Sequence, residues 1–183
     1  MATLAPDLRK ALISLPQKEK DQLLARLVAQ DAVLTEQLTF RLLEGDEALD
    51  TRRQRLQQQV DDPVRGFHQT PNDLLHIVRQ LQQRIAYHYK ITGDTQGEIE
   101  LTLRLLTNVL RHQPEAVARL HGPTQPLLQH LARRTQEVLK ALQKLHEDYH
   151  MEYAPAATEL LQLLYASAAA PLARELGLPV QWA

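Results

Sequence analysis

Cysteine is absent from this sequence, and glycine and aromatic residues are scarce: six glycines, one tryptophan, two phenylalanines and five tyrosines in 183 residues. Without cysteine there are no disulfides, no thiolate metal sites and no thiol nucleophile, which fits a reducing compartment. So few rings give no stacking platform for single-stranded nucleic acid or sugars. The scattered glycines form no phosphate-cradling loop, and neither GxSxG nor any other nucleophile motif is present. Charge of either sign is not in surplus, with 21 basic against 22 acidic side chains. That balance argues against a dedicated binder of nucleic acid or anionic lipid. No stretch approaches the ~20 apolar residues of a membrane span. "MATLAPDLRK" places Pro6, Asp7 and two cations where a secretory leader carries its apolar run. The expectation is a cytoplasmic protein with no membrane segment.

What the chain does have is leucine. Hydrophobic residues make up 44% of it, enough to bury a core without metal or disulfide staples. The first 45 residues divide into three short amphipathic segments. "DLRKALISL" carries Leu8, Leu12 and Leu15 at helical spacing, Pro16 opens "PQKEKDQLLARLVAQ", and Asp31 is placed to cap "AVLTEQLTFRLLE", which stops at Gly45. No repeat of fixed period accompanies these helices, so a solenoid array is not supported. "DEALDTRRQRLQQQV" has only the thin apolar stripe Leu49, Leu56, Val60, the pattern of a largely solvated helix. Its Arg52, Arg53 and Arg55, like Arg133 and Arg134 further on, read as solvated faces before they read as phosphate-docking clusters. Pro63, Gly66 and Pro71 then break the chain more strongly than any other segment. The expected organisation is a short-helix subdomain over 1–62, a linker over 63–72 and a helical bundle over 73–183.

Thr70, Pro71 and Asp73 signal the start of a helix through "DLLHIVRQLQQRIAYHYK". Residues 85–105 admit two readings. Ile85, Tyr87, Tyr89, Ile91 and then Ile99, Leu101, Leu103, Leu105 alternate as in a β-hairpin. Against this, Thr95 and Glu98 form a capping box, and Ile99, Leu103, Leu106 and Leu110 continue at helical spacing, so helix is preferred. Thr124 and Pro126 open what reads as the longest helix, reaching His150 with a seam from Leu128 to Tyr149 interrupted only by Thr135. Pro155 starts a leucine- and alanine-rich helix expected in the middle of the bundle, kinked at Pro171. The fold class expected is all-α, with an N-terminal cluster of short helices packed on a C-terminal up-and-down four-helix bundle.

The chemistry concentrates in "HEDYH", residues 146–150. Two histidines at i and i+4 can point at one zinc ion, and Glu147 beside the first can activate its water, as metalloprotease motifs require. On a helix continuous with the leucine seam, Glu147 falls roughly 155° from the seam, facing away from the core. No third ligand stands at a recognisable spacing, although His88 or Glu100 on a neighbouring helix could join His146 and His150. Glu147 and His150 also form a single ExxH, where a di-iron bundle needs two. His88, between two tyrosines, reads as a hydrogen-bonded core histidine, and His76 as solvent-exposed. The favoured expectation is therefore a non-enzymatic helical interaction protein with a protein partner or a symmetric homodimer, without metal or cofactor. The alternative is a zinc hydrolase with His146 and His150 as ligands and Glu147 as base.

Overall fold

Helical spacing of leucine, with proline and cap residues at the helix starts, does produce an all-α protein. In the computed structural model, which describes residues 4–45 and 47–182, every regular element among the described residues is helical. None of these helices is long and apolar enough to cross a membrane. Two compact units divide the chain, residues 1–45 and residues 46–183.

The first unit holds α1 (Pro6–Ser14), α2 (Gln17–Gln30) and α3 (Ala32–Thr39), the last continuing as a wider turn over Phe40–Glu44. Asp31 caps α3 by accepting from the Val33 and Leu34 amides at 2.9 and 3.1 Å, and Gly45 ends the unit at φ +65°, where a side chain would be strained. Helices α1, α2 and α3 contain no buried residue. Phe40 is the one buried position among the described residues of this unit.

The second unit contains α4 (Glu47–Arg65), α5 (Pro71–Thr92), α6 (Thr95–His112), α7 (Pro114–Val117), α8 (Gln125–Leu142), α9 (Glu147–Ala166) and α10 (Ala170–Glu175). The Thr70 and Asp73 capping box starts α5. Helix α6 lies at the centre, packed by α4, α5, α8 and α9. Its pairings run in step with those of α4: Arg53 meets Asp94, Asp61 meets Arg104 and Asn108, and Val64 meets Gln113. The two helices are therefore parallel, with α5 returning between them. Helix α9 runs the same way, with Glu159 against Arg111 and the Ala168 amide donating to the Val117 carbonyl.

Several expectations change here. The boundary between compact units falls after Gly45, not at 63–72. Helix α4 runs through Pro63 to Arg65 and contributes Leu56, Val60 and Val64 to the core of the second unit. Five long helices, rather than four, build that unit, and α6 takes the middle position expected of α9. Residues 85–105 are helical on both sides of Gly93, which adopts φ +74°. The alternation read as a hairpin arises because α6 is buried around most of its circumference, so Leu101 and Leu105 are as enclosed as Ile99 and Leu103. Its cap is Asp94, one residue before the expected Thr95. The helix expected to run from Pro126 to His150 stops at Leu142, and α9 begins at Glu147 with Pro155 inside it. Pro171 does not kink α9, which ends at Ala166; it opens α10.

Candidate functional site

His146 occupies the cap position before α9, with extended backbone at φ −59°, ψ 146°. The i, i+4 stacking of two imidazoles needs both residues in helical conformation, so this spacing does not align His146 with His150 as a helix would. The angular argument made on one continuous helix fails for the same reason, although Glu147 is exposed. The His146 ring is 73% exposed and lies 3.2 Å from the Asp148 carboxylate, while its Nδ1 accepts a long 3.4 Å bond from the Asp148 amide. His150 is half-buried, edge-on to Trp182 with ring centroids 6.3 Å apart, and its Nε2 is buried without a hydrogen-bond partner. Among the described residues no three His, Asp or Glu side chains are grouped to hold a metal ion. His88 and Glu100 join neither histidine in such a group. His76 is exposed and bonded to Gln80.

The buried charged and polar side chains lie instead largely along α6. The Asp94 carboxylate, with 4% of its side-chain surface exposed, accepts from Arg53 Nε and Nη2 at 2.5 Å each, from the Gly97 amide at 2.9 Å and from His88 Nε2 at 3.3 Å. Burial alone would raise its pKa, but the hydrogen bonds from His88, Arg53 and the Gly97 amide outweigh burial and hold it well below the usual carboxylate range. Arg53, read from the sequence as part of a solvated cluster, is turned inward by this pair. Ten residues along α6, Arg104 donates to buried Asp61 through Nε at 2.7 Å and Nη2 at 2.5 Å, and Asn108 adds a bond of 2.8 Å. The Arg104 bonds are the main cause of the lowered Asp61 pKa. On the α5 and α8 side, His130 Nε2 donates to Gln82 at 2.8 Å. Burial, with Arg79 and Arg134 nearby, pushes the His130 pKa down to about 4.

Helices α4 and α9 both pack on α6 but make few contacts with each other. Between them the polar stripe of α6 opens into a cleft of about 470 Å³. Glu100, Arg104, Thr107, Asn108 and Arg111 come from α6, Arg65 from α4, and Tyr153 and Glu159 from α9. Burial raises the Tyr153 pKa. Of these positions the sequence points to Glu100 as a candidate ligand, and Glu159 is set aside there because it lies beyond Pro155. The available signal was a polar row at positions 100, 104, 107, 108 and 111, which lie on one face of a leucine-rich helix.

The first unit presents a different surface. Leu4, Leu8, Ile13, Leu24, Leu27, Leu42 and Leu43 expose between 49% and 82% of their area. Leu24 and Leu27, three apart on α2, share a face, and Leu8 continues the apolar row of α1. Compared with family models, curated proteins and solved structures, the chain finds no match in any of the three.

Proposed function

We propose that this chain is a non-enzymatic helical interaction protein of the cytosol that self-associates through its first unit. The observation that carries the reading is the absence of any buried residue from α1, α2 and α3. A helical unit of about 45 residues is near the size at which a chain needs oligomerisation or staples to be stable, and helices gain most of their stability by burying an apolar face. The leucines of this unit are the material for such burial. Large apolar side chains left exposed on one short unit are what interaction sites are built from.

A second copy of the chain is the occupant that fits. Residues 4–45 carry six basic and six acidic side chains, so two copies meet without net repulsion, and the mixed run Lys18, Glu19, Lys20, Asp21 offers opposite charges to its own twin. A symmetric dimer uses one patch twice, and such closed two-fold pairs are the commonest soluble oligomers. Sedimentation velocity at micromolar concentration tests the reading: the wild type should sediment as a dimer, and Leu24→Glu with Leu27→Glu as a monomer. A wild type that remains strictly monomeric refutes it.

A further inference from the structure

The cleft between α4 and α9 pairs its arginines unevenly with the carboxylates around it, Asp61, Glu100 and Glu159. Asp61 already accepts two bonds from Arg104 and one from Asn108. Arg65 approaches the same carboxylate only to 3.7 Å, outside hydrogen-bond range. Its five donors make no hydrogen bond, and His112 at the rim makes none either. Arg111 is paired across the mouth with Glu159, both about half exposed, an ion pair of the kind that contributes little in water. Arg104 and Arg111 are seven residues apart, two helical turns, and so face the same way. Three arginines and a histidine therefore stand against three carboxylates, Glu100 acting on Arg104 from the far end, but at the Arg65 end Asp61 is saturated and Arg65 and His112 are left without a hydrogen bond.

The cavity size falls within the range of small-molecule sites. Its floor is apolar and hydroxylated, from Leu103, Thr107, Ala156 and Tyr153. Asp61 fixes Arg104 and Asn108 at the back of the cleft, leaving Arg65 and Arg111 at its mouth to reach a ligand. Guanidinium forks match phosphate and carboxylate oxygens two at a time.

We propose that this cleft binds a small molecule through an oxyanion, phosphate or carboxylate, gripped by Arg65 and Arg111 with His112 at the rim and Arg104 behind. Binding displaces Glu159 from Arg111. The remainder of the ligand lies along Leu103 and Tyr153 toward Glu100, so a hydroxyl or amine at its far end would find an acceptor there. The cleft belongs wholly to the second unit, and this inference does not depend on self-association.

Thermal-shift and calorimetric titration with inorganic phosphate, citrate and sodium chloride at matched ionic strength provides the test. Phosphate or citrate should stabilise the full chain saturably while sodium chloride does not, and the better of the two identifies the oxyanion. Arg65→Ala and Arg111→Ala should each weaken binding about tenfold, as expected for loss of one charge-assisted contact, with unchanged circular dichroism. Glu159→Gln should tighten it several-fold by releasing Arg111, whereas Glu147→Gln, the same charge change at an exposed position outside the cleft, should not. No saturable stabilisation up to tens of millimolar by either anion overturns the proposal. So does an affinity that changes equally in Glu159→Gln and Glu147→Gln, which would reveal general charge attraction only.

Discussion

Gly97 sits in the first turn of α6, where helix propensity alone says that alanine should stabilise by up to about 1 kcal/mol. The structure reverses that sign. A Cβ built on Gly97 would stand 2.0 Å from Asp94 Oδ2 and 2.8 Å from Arg53 Nε, separations that no real methyl group tolerates. The carboxylate cannot lean away without leaving Arg53, His88 and the Gly97 amide together. Gly97→Ala should therefore remove the helix cap, about 1 kcal/mol, and the charge-assisted bonds to Arg53, about 1.5–3 kcal/mol. The lower end applies to Arg53, since its side chain is 26% exposed and can turn to water. After crediting the propensity gain of up to about 1 kcal/mol, the expected net loss is about 1.5 kcal/mol. Urea unfolding followed by far-UV circular dichroism measures it, with the slope m checked for constancy. The sharper form is a double-mutant cycle. In an Asp94→Ala background the obstacle is gone, so the same Gly97→Ala change should stabilise by up to about 1 kcal/mol, giving a coupling of about 2.5 kcal/mol. If Gly97→Ala stabilises the wild type, or its effect is the same in both backgrounds, the reasoning about this contact is wrong.

The His130 pKa near 4 in the folded protein, against about 6.5 unfolded, means that the unfolded chain binds more protons between those values. Its contribution is complete above about pH 6.5 and lost as pH falls toward 4; urea titrations over this window should show a decline of about 1–2 kcal/mol after allowing for partial exposure, and His130→Gln should flatten it. Asp94, whose pKa is depressed, adds a further loss below about pH 4. Elemental analysis after mild chelation should find no stoichiometric zinc; retention of about one zinc per chain by the wild type but not by His146→Ala with His150→Ala would restore the hydrolase reading. His146→Ala should leave stability within about 0.5 kcal/mol, because its ring is exposed and its cap bond long. A chain of residues 46–183 should fold cooperatively and sediment as a monomer even where the full chain dimerises; dimerisation of the shorter chain would move the interface out of the first unit.

Local signals in the sequence served where the chain makes its own local bonds. Asp31, Thr70 with Asp73, and Gly45 act through neighbours two to five residues away, and each is found in the role its type suggests. The parts that were not legible depend on distant partners. Helix α4 has a thin apolar stripe because two of its polar side chains, Arg53 and Asp61, are satisfied by residues 41 and 43 positions later. From sequence alone those charges count as solvated, so α4 was assigned to the wrong side of a boundary drawn at Pro63 and Pro71. Those breakers mark only a tight return, closed by Gln113 donating to the Val64 and Gly66 carbonyls. The leucine seam kept its period past Leu142, so periodicity could not reveal that the backbone stops there and restarts after His146. The cleft residues were hidden for a related reason: nothing in the order of α4, α6 and α9 says that two helices will flank a third with few contacts between them.

The central position of α6 has a consequence during synthesis. Once residues up to His112 have left the ribosome, α4 and α5 can already cover one side of α6, with both arginine–carboxylate pairs in reach. The sides met by α8 and α9 have no cover until the chain has grown through Ala166. At roughly 5–20 residues per second, those fifty-odd residues take several seconds, far longer than a helix needs to form. For that interval the nascent chain presents an unpaired leucine face, so the growing polypeptide should be a better client for holding chaperones than the finished protein, and slowing translation between residues 113 and 166 should lower its soluble yield.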